Sequence, residues 1–296
     1  MSVGVLPGGY WDAAGRLHRD FELAALTGRE EELLVQASRL STALMVTQVL
    51  TRCLRRLGTF RPVPAEVIRG LLVADRQHLL LRLRQETFGG IVRANLICPW
   101  RDCGERMSME FTIDDLPVEE SPDPAPLYTM TLSAQAAANS GNRDREITFR
   151  LPNGGDQEEL SHELADNEAR ALNRLLARCI QRTGSAAQPD EEYVSALSPL
   201  ARAEIEQRMV QVAPKVEQTM EVSCVACGRL ITAPLDIHGF FFGDLRADAS
   251  LLYQEVHYLA FHYHWSEREI MAMTRQKRHT YIDVLTDAIE ELNRDS

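Results

Sequence analysis

The side chains best suited to chemistry are four cysteines in two close pairs. Cys98 and Cys103 stand in CPWRDCG, a C-x4-C spacing, and Cys224 and Cys227 in CVACG, a C-x2-C spacing. A tight turn between two strands aims two thiolates and nearby backbone N–H groups at one point. Two such turns facing each other make a tetrahedral site with each sulfur ~2.3 Å from zinc. Each pair is followed directly by glycine, Gly104 or Gly228, which tolerates the left-handed backbone such a turn often needs. The expected site is a structural zinc held by Cys98, Cys103, Cys224 and Cys227. C-x2-C-G is a common knuckle spacing and C-x4-C a less usual one, so free or oxidised thiols and a redox or catalytic centre stand as competing readings. Cys53 and Cys179 fall on apolar helical faces and read as buried, inert thiols.

The second candidate is EVHYLAFHYHW (255–265), with His257, His262 and His264. A helical zinc-enzyme motif places two histidines at i and i+4 with a glutamate between them. The spacings here are five, two and seven, and Ser266 with Glu269 makes a capping box that ends the preceding helix near His264. A packed helix end with hydrogen-bonded imidazoles is the plainer reading. No nucleophile elbow, phosphate loop or dinucleotide fingerprint occurs, so no enzyme activity is expected.

The elements that must position the cysteines follow from pattern. Residues 91–97 and 107–113 read as strands flanking the first pair, and 220–223 and 230–235 as strands flanking the second. An acidic residue, Asp114 or Asp236, follows each hairpin, so the two stretches repeat a shape rather than a sequence. Before them, residues 1–26 read as an entry segment with Tyr10, Trp11, Phe21 and Leu23 as anchors. Thr27 and Glu30 cap a first helix, Leu40 to Leu57 carry a second, and Asp75 caps a third. Between the hairpins lie a proline-rich acidic connector (117–126), two strands around 128–132 and 146–151 joined by a loop read as mobile (136–144), and helices capped by Asp156 with Glu159 and by Ser198-Pro199. Tyr281, Val284, Leu285, Ala288, Ile289 and Leu292 form the cleanest amphipathic stripe, expected as a core or partner-helix face.

The resulting fold class is α+β, with helical N- and C-terminal regions around a small antiparallel zinc-ribbon-like sheet split by a helical insertion. The expected divisions are an N-terminal helical region (1–90), a first cysteine-knuckle hairpin (91–116), a mixed strand and helix insertion (117–215), a second hairpin (216–238) and a C-terminal helical region (239–296).

Composition narrows the function classes. Of 296 residues, 32 are Lys or Arg and 43 are Asp or Glu, a net charge of −11, which disfavours binding to nucleic acid or anionic lipid. Lys215 and Lys277 are the only lysines, so arginine, with its bidentate fit to carboxylates, carries the positive charge. No run approaches the ~18 apolar residues of a membrane span. The amino terminus has neither a basic start nor a long apolar core, so a cytoplasmic protein is expected.

Several segments carry a resemblance in the same order along nearly the whole chain. They are LPGGYWDAAGRLHRDFELAALTGREEELL (6–34), DRQHLLLRLRQETFG (75–89), CPWRDCG (98–104), FRLPNGGDQEEL (149–160), CVACG (224–228) and EVHYLAFHYHWSEREI (255–270). Together they resemble the T-even-phage-type baseplate hub assembly chaperones of phage-tail-like contractile injection systems. The resemblance implies a cytoplasmic, non-enzymatic factor or minor baseplate component that binds hub, spike or tape-measure proteins, with Cys98, Cys103, Cys224 and Cys227 as its metal ligands. Pro99 follows the first cysteine, whereas Val225 takes that place in the second knuckle. Two other functions fit parts of the pattern. One is a zinc-ribbon or helix-turn-helix nucleic-acid binder using Arg275, Lys277, Arg278 and His279. The other is a zinc metalloenzyme using the 257–264 histidines. For a chaperone, the expected docking surfaces are the entry segment 6–26 and the C-terminal helices.

Overall fold

The computed structural model describes residues 2–36, 40–139, 145–184, 186–187, 189–247 and 249–294. It opens with a hairpin, not a loose segment. β1 (Ser2–Trp11) pairs antiparallel with β2 (Leu17–Leu23), Ser2 opposite Leu23 and Trp11 opposite Leu17. Asp12 closes the turn by accepting from the N–H groups of Ala14 and Arg16, and Gly15 adopts φ 74°. Thr27 and Glu30 cap α1 (Gly28–Gln36) as expected, the Glu30 carboxylate accepting from the Thr27 N–H. α2 (Thr42–Cys53) stops four residues short of the expected end, because β3 (Leu54–Leu57) pairs with β2 and completes the sheet β1-β2-β3.

α3 (Ala65–Gly70) leads to α4 (Val73–Phe88), on which the first body is built. Residues 75–81 of α4 are buried without a break, the mark of a helix enclosed on all sides. Leu6, Phe21, Leu23, Leu50, Leu57, Ile68 and Phe241 are among the side chains that close around it. Asp75 does not cap its own helix. Its two oxygens accept from the Gly8 and Gly9 N–H groups, 2.8 Å each, at a bulge in β1 where Gly9 has φ 92°. Burial raises its pKa to about 6 against the pull of those two donors.

The next stretch confirms the first hairpin: β4 (Ile91–Ile97) pairs with β5 (Arg106–Thr112), Ile91 opposite Thr112. The connector after it is not merely exposed. It supplies β6 (Val118–Glu119), and the buried Ser121 hydroxyl donates to the Val212 carbonyl. β7 (Tyr128–Thr131), α5 (Ala134–Asn139) and β8 (Glu146–Phe149) follow. α5 takes part of the stretch read as a mobile loop, and residues 140–144 of that loop lie outside the described residues.

α6 (Gly154–Asp166) is capped by Asn153 with Asp156, three residues before the expected box. α7 (Glu168–Cys179), β9 (Ile180–Thr183), β10 (Ala186–Ala187) and α8 (Glu191–Ala196) lead to α9 (Pro199–Val212), whose N-cap is Ser198. The sheet β10-β9-β8-β7 and these helices enclose a second core that includes Phe149, Ile180, Ile205 and Val212. β11 (Lys215–Val216) pairs with β6, and β12 (Thr219–Ser223) with β13 (Leu230–Pro234).

Four helices finish the chain: α10 (Ile237–Ala247), α11 (Ala249–Tyr263), α12 (Glu267–Met271) and α13 (Arg275–Arg294). α13 is fixed at its start by Arg278, fully buried, which donates to both Glu31 oxygens at 2.9 and 3.0 Å and to Glu255 at 2.8 Å. Its apolar stripe is only partly covered by this chain: Tyr281 packs on Tyr263 and Trp265, whereas Val284 is 56% and Leu292 70% exposed. The architecture is a mixed α+β fold with several small sheets, all antiparallel among the described pairs. The region 1–90 departs from the helical expectation by its three-stranded sheet, in which Leu6, Phe21 and Leu23 are buried.

Candidate metal centre

Each cysteine pair sits at the tip of a two-stranded hairpin, and both tips fold by the same backbone logic. In β4–β5 the Cys98 N–H donates to the Glu105 carbonyl, and the Cys103 and Gly104 N–H groups donate to the Trp100 carbonyl. In β12–β13 the Cys224 N–H donates to the Arg229 carbonyl and the Gly228 N–H to the Cys224 carbonyl. Gly104 and Gly228 both lie in the left-handed region, φ 65° and 70°, where a side chain would be strained. The extra two residues of the C-x4-C loop therefore change the turn but not its outcome.

The tips face each other, and the structure brings all four sulfurs together. Cys98 Sγ lies 3.8 Å from Cys227 Sγ and Cys103 Sγ 3.7 Å from Cys224 Sγ, and all four lie within 4.8 Å of one another. A disulfide needs about 2.05 Å between sulfurs, and all six cysteines are free thiols. A tetrahedron with ~2.3 Å metal–sulfur bonds has edges of ~3.8 Å. The donor set and its spacing therefore fit a thiophilic metal ion. Cys98 and Cys224 are buried and Cys103 and Cys227 partly so, with Met107 and Ile231 completing a small core.

Burial raises the Cys98 pKa. The Glu105 N–H favours a thiolate at Cys103, but burial and the three neighbouring thiols outweigh it and push its pKa up to about 12. At Cys224 the N–H groups of Cys227 and Ala226 lower it to about 7. The neighbouring thiols raise Cys103 and help to lower Cys224, and a bound divalent cation would deprotonate every thiol that coordinates it.

A second link joins the tips. Arg229 donates to both Asp102 oxygens at 2.7 Å each, and its guanidinium lies over the Trp100 ring at 5.1 Å. The sequence reading missed this pair. Its signal was an acid in one knuckle and an arginine in the other, which carries weight only once the knuckles are known to meet.

A family model described as T4 bacteriophage base plate protein matches residues 16–242. The chain belongs to that family. No curated protein and no solved structure matches it. The base plate match includes both cysteine hairpins and the whole insertion between them, and it stops within α10, before the histidines.

Those histidines lie apart from the sulfurs. His257 and His262 are exposed on α11, against Phe261 and Tyr258, and His264, at φ 57°, follows the end of that helix. Among the described residues, the four cysteines are the only group of three or more cysteine, histidine or acidic side chains spaced to hold a metal. Cys53 and Cys179 are buried, and burial raises each pKa to about 12, as inert thiols require. Three of the four basic residues read as a helix-turn-helix contact have partners within the chain. Arg278 binds Glu31 and Glu255, His279 binds Glu255 at 2.7 Å, and Arg275 covers the Phe88 ring. No described helix is long and apolar enough to cross a membrane.

Proposed function

We infer that this base plate family member is a non-enzymatic assembly chaperone or minor baseplate component. It acts in the cytoplasm while the hub and spike of a contractile, phage-tail-like injection system are built. Cys98, Cys103, Cys224 and Cys227 hold a structural zinc in a split ribbon. Four thiolates fill a tetrahedral ion and leave no position for substrate, so the metal supplies cohesion rather than chemistry. The observation that carries this reading is the family match over residues 16–242, which encloses a four-sulfur cluster in a chain with no other metal-ligating group among its described residues.

The partners are hub, spike or tape-measure proteins of the same particle. Co-expression of the intact chain with each of them, followed by size-exclusion chromatography, tests this directly. The expected result is co-elution with at least one. Elution alone in every pairing, with the chain folded, overturns the reading.

A further inference from the structure

A long apolar groove lies where the first body meets the insertion. It encloses about 620 Å³. Leu160 and Leu164 of α6 form one wall, Met209 and Val210 of α9 the other, and Leu151 and Val216 lie between them. α6 packs on α7, α2 and α3, and α9 packs on α5, so each wall is held by neighbouring helices. Its base is stapled by backbone hydrogen bonds: the Val73 N–H donates to the Pro152 carbonyl and the Gly154 N–H to the Leu71 carbonyl. The groove is thus preformed, and binding need not pay to order it.

Its lips identify the occupant. Leu164 and Val210 are 50% and 59% exposed, one on each wall. An open trough between two helices, with an exposed apolar residue on each lip, matches a helix laying one face between two others. The rim is acidic. Lys215 pairs with Glu119 at 3.4 Å, which leaves Glu217 as the net negative charge of that edge, and Glu206 stands one helical turn before Val210 on α9. A second copy of this chain fits poorly. Its exposed amphipathic helix, α13, carries Asp283, Asp287, Glu290 and Glu291 and would set like charges against that rim.

We propose that this groove docks an amphipathic α-helix of another protein, with an apolar stripe seated between α6 and α9 and lysine or arginine on its flanks. The inference stands apart from the chaperone reading, because it names a surface and a ligand chemistry without reference to the baseplate.

The test is selection of a phage-displayed library of helical peptides on the intact protein, followed by fluorescence anisotropy with the recovered sequences. Recovered peptides are expected to carry apolar residues at i, i+3 or i+4, and i+7, with basic flanks. They should bind the L164K/V210K double variant at least about tenfold more weakly, since a cation on each lip opposes both the stripe and its flanks. Both positions are exposed, so the variant keeps the wild-type circular dichroism and melting behaviour. A V225K variant, at the exposed tip of the second cysteine hairpin, should bind as the wild type does. Acidic or aperiodic peptides, no enrichment, or equal binding to the double variant each overturn the proposal. So does a wild-type dimer in sedimentation that L164K/V210K converts to monomer, which would assign the groove to self-association.

Discussion

Around α4, leucines, valines and phenylalanines from the first sheet, α2, α3 and α10 close on one another in one continuous core. Between the two cysteine hairpins, only Cys98, Met107, Cys224 and Ile231 are buried together. The first region has enough apolar area to hold itself. The hairpin tips do not, since a two-stranded hairpin is marginal in water and only the hairpin bases, through Val92, Phe111 and Met220, reach the first core. On the proposed reading a metal ion supplies there what apolar burial supplies around α4. On that proposal, two regions of one chain share a family match but differ in what holds them together.

The comparison breaks most sharply if the metal is taken away. A strong chelator with reductant should release the two hairpin tips, residues 96–107 and 222–231, and cut their amide protection by about 1000-fold or more. α4 should keep its protection. Uniform loss across both regions would show that the hairpins and the body form one cooperative unit.

The converse change acts on the body. Leu79→Ala removes a fully buried side chain from α4 and should cost about 2–5 kcal/mol in denaturant unfolding, with metal content unchanged. Loss of metal in the folded variant would show that the two regions are not independent.

Asp75 sharpens the account of the body through pH. Its folded pKa, about 6, lies above its ordinary value of 3.8, so the folded state holds the proton more tightly than the unfolded state. Its contribution to stability is therefore greatest below about pH 4 and declines as pH rises through about 6. The stability of the wild type minus that of Asp75→Asn should fall by roughly 3 kcal/mol across that window. A flat difference would mean that Asp75 titrates normally.

The smallest effect is expected at the link between the tips. Asp102→Ala removes an exposed ion pair with Arg229, and such pairs contribute little to stability. It should leave the unfolding midpoint of the body unchanged and only quicken metal loss to a chelator. An effect as large as losing a cysteine would give the pair the cohesive role assigned here to the sulfurs.

The two hairpins were legible because their signals are local: paired cysteines, a glycine and alternating strands lie within about twenty residues of one another. Capping at Thr27, Ser198 and Ser266 was legible for the same reason. What sequence could not show depends on distant pairing. Leu54 to Leu57 continue the helical spacing of α2, yet they become a strand because Phe21 to Leu23 offer a partner. The Gly8-Gly9 pair hid β1, and its meaning appears only when Asp75 of α4 takes both N–H groups. By sequence Arg278 fits a helix-turn-helix contact, whereas the carboxylates it binds come from Glu31 and Glu255, outside its own helix.

X-ray absorption and elemental analysis on protein purified without chelator test the central claim most directly. The account predicts about one zinc per chain with four sulfur neighbours at ~2.3 Å. Protein that is folded yet metal-free, or a metal shell containing nitrogen or oxygen, would contradict it.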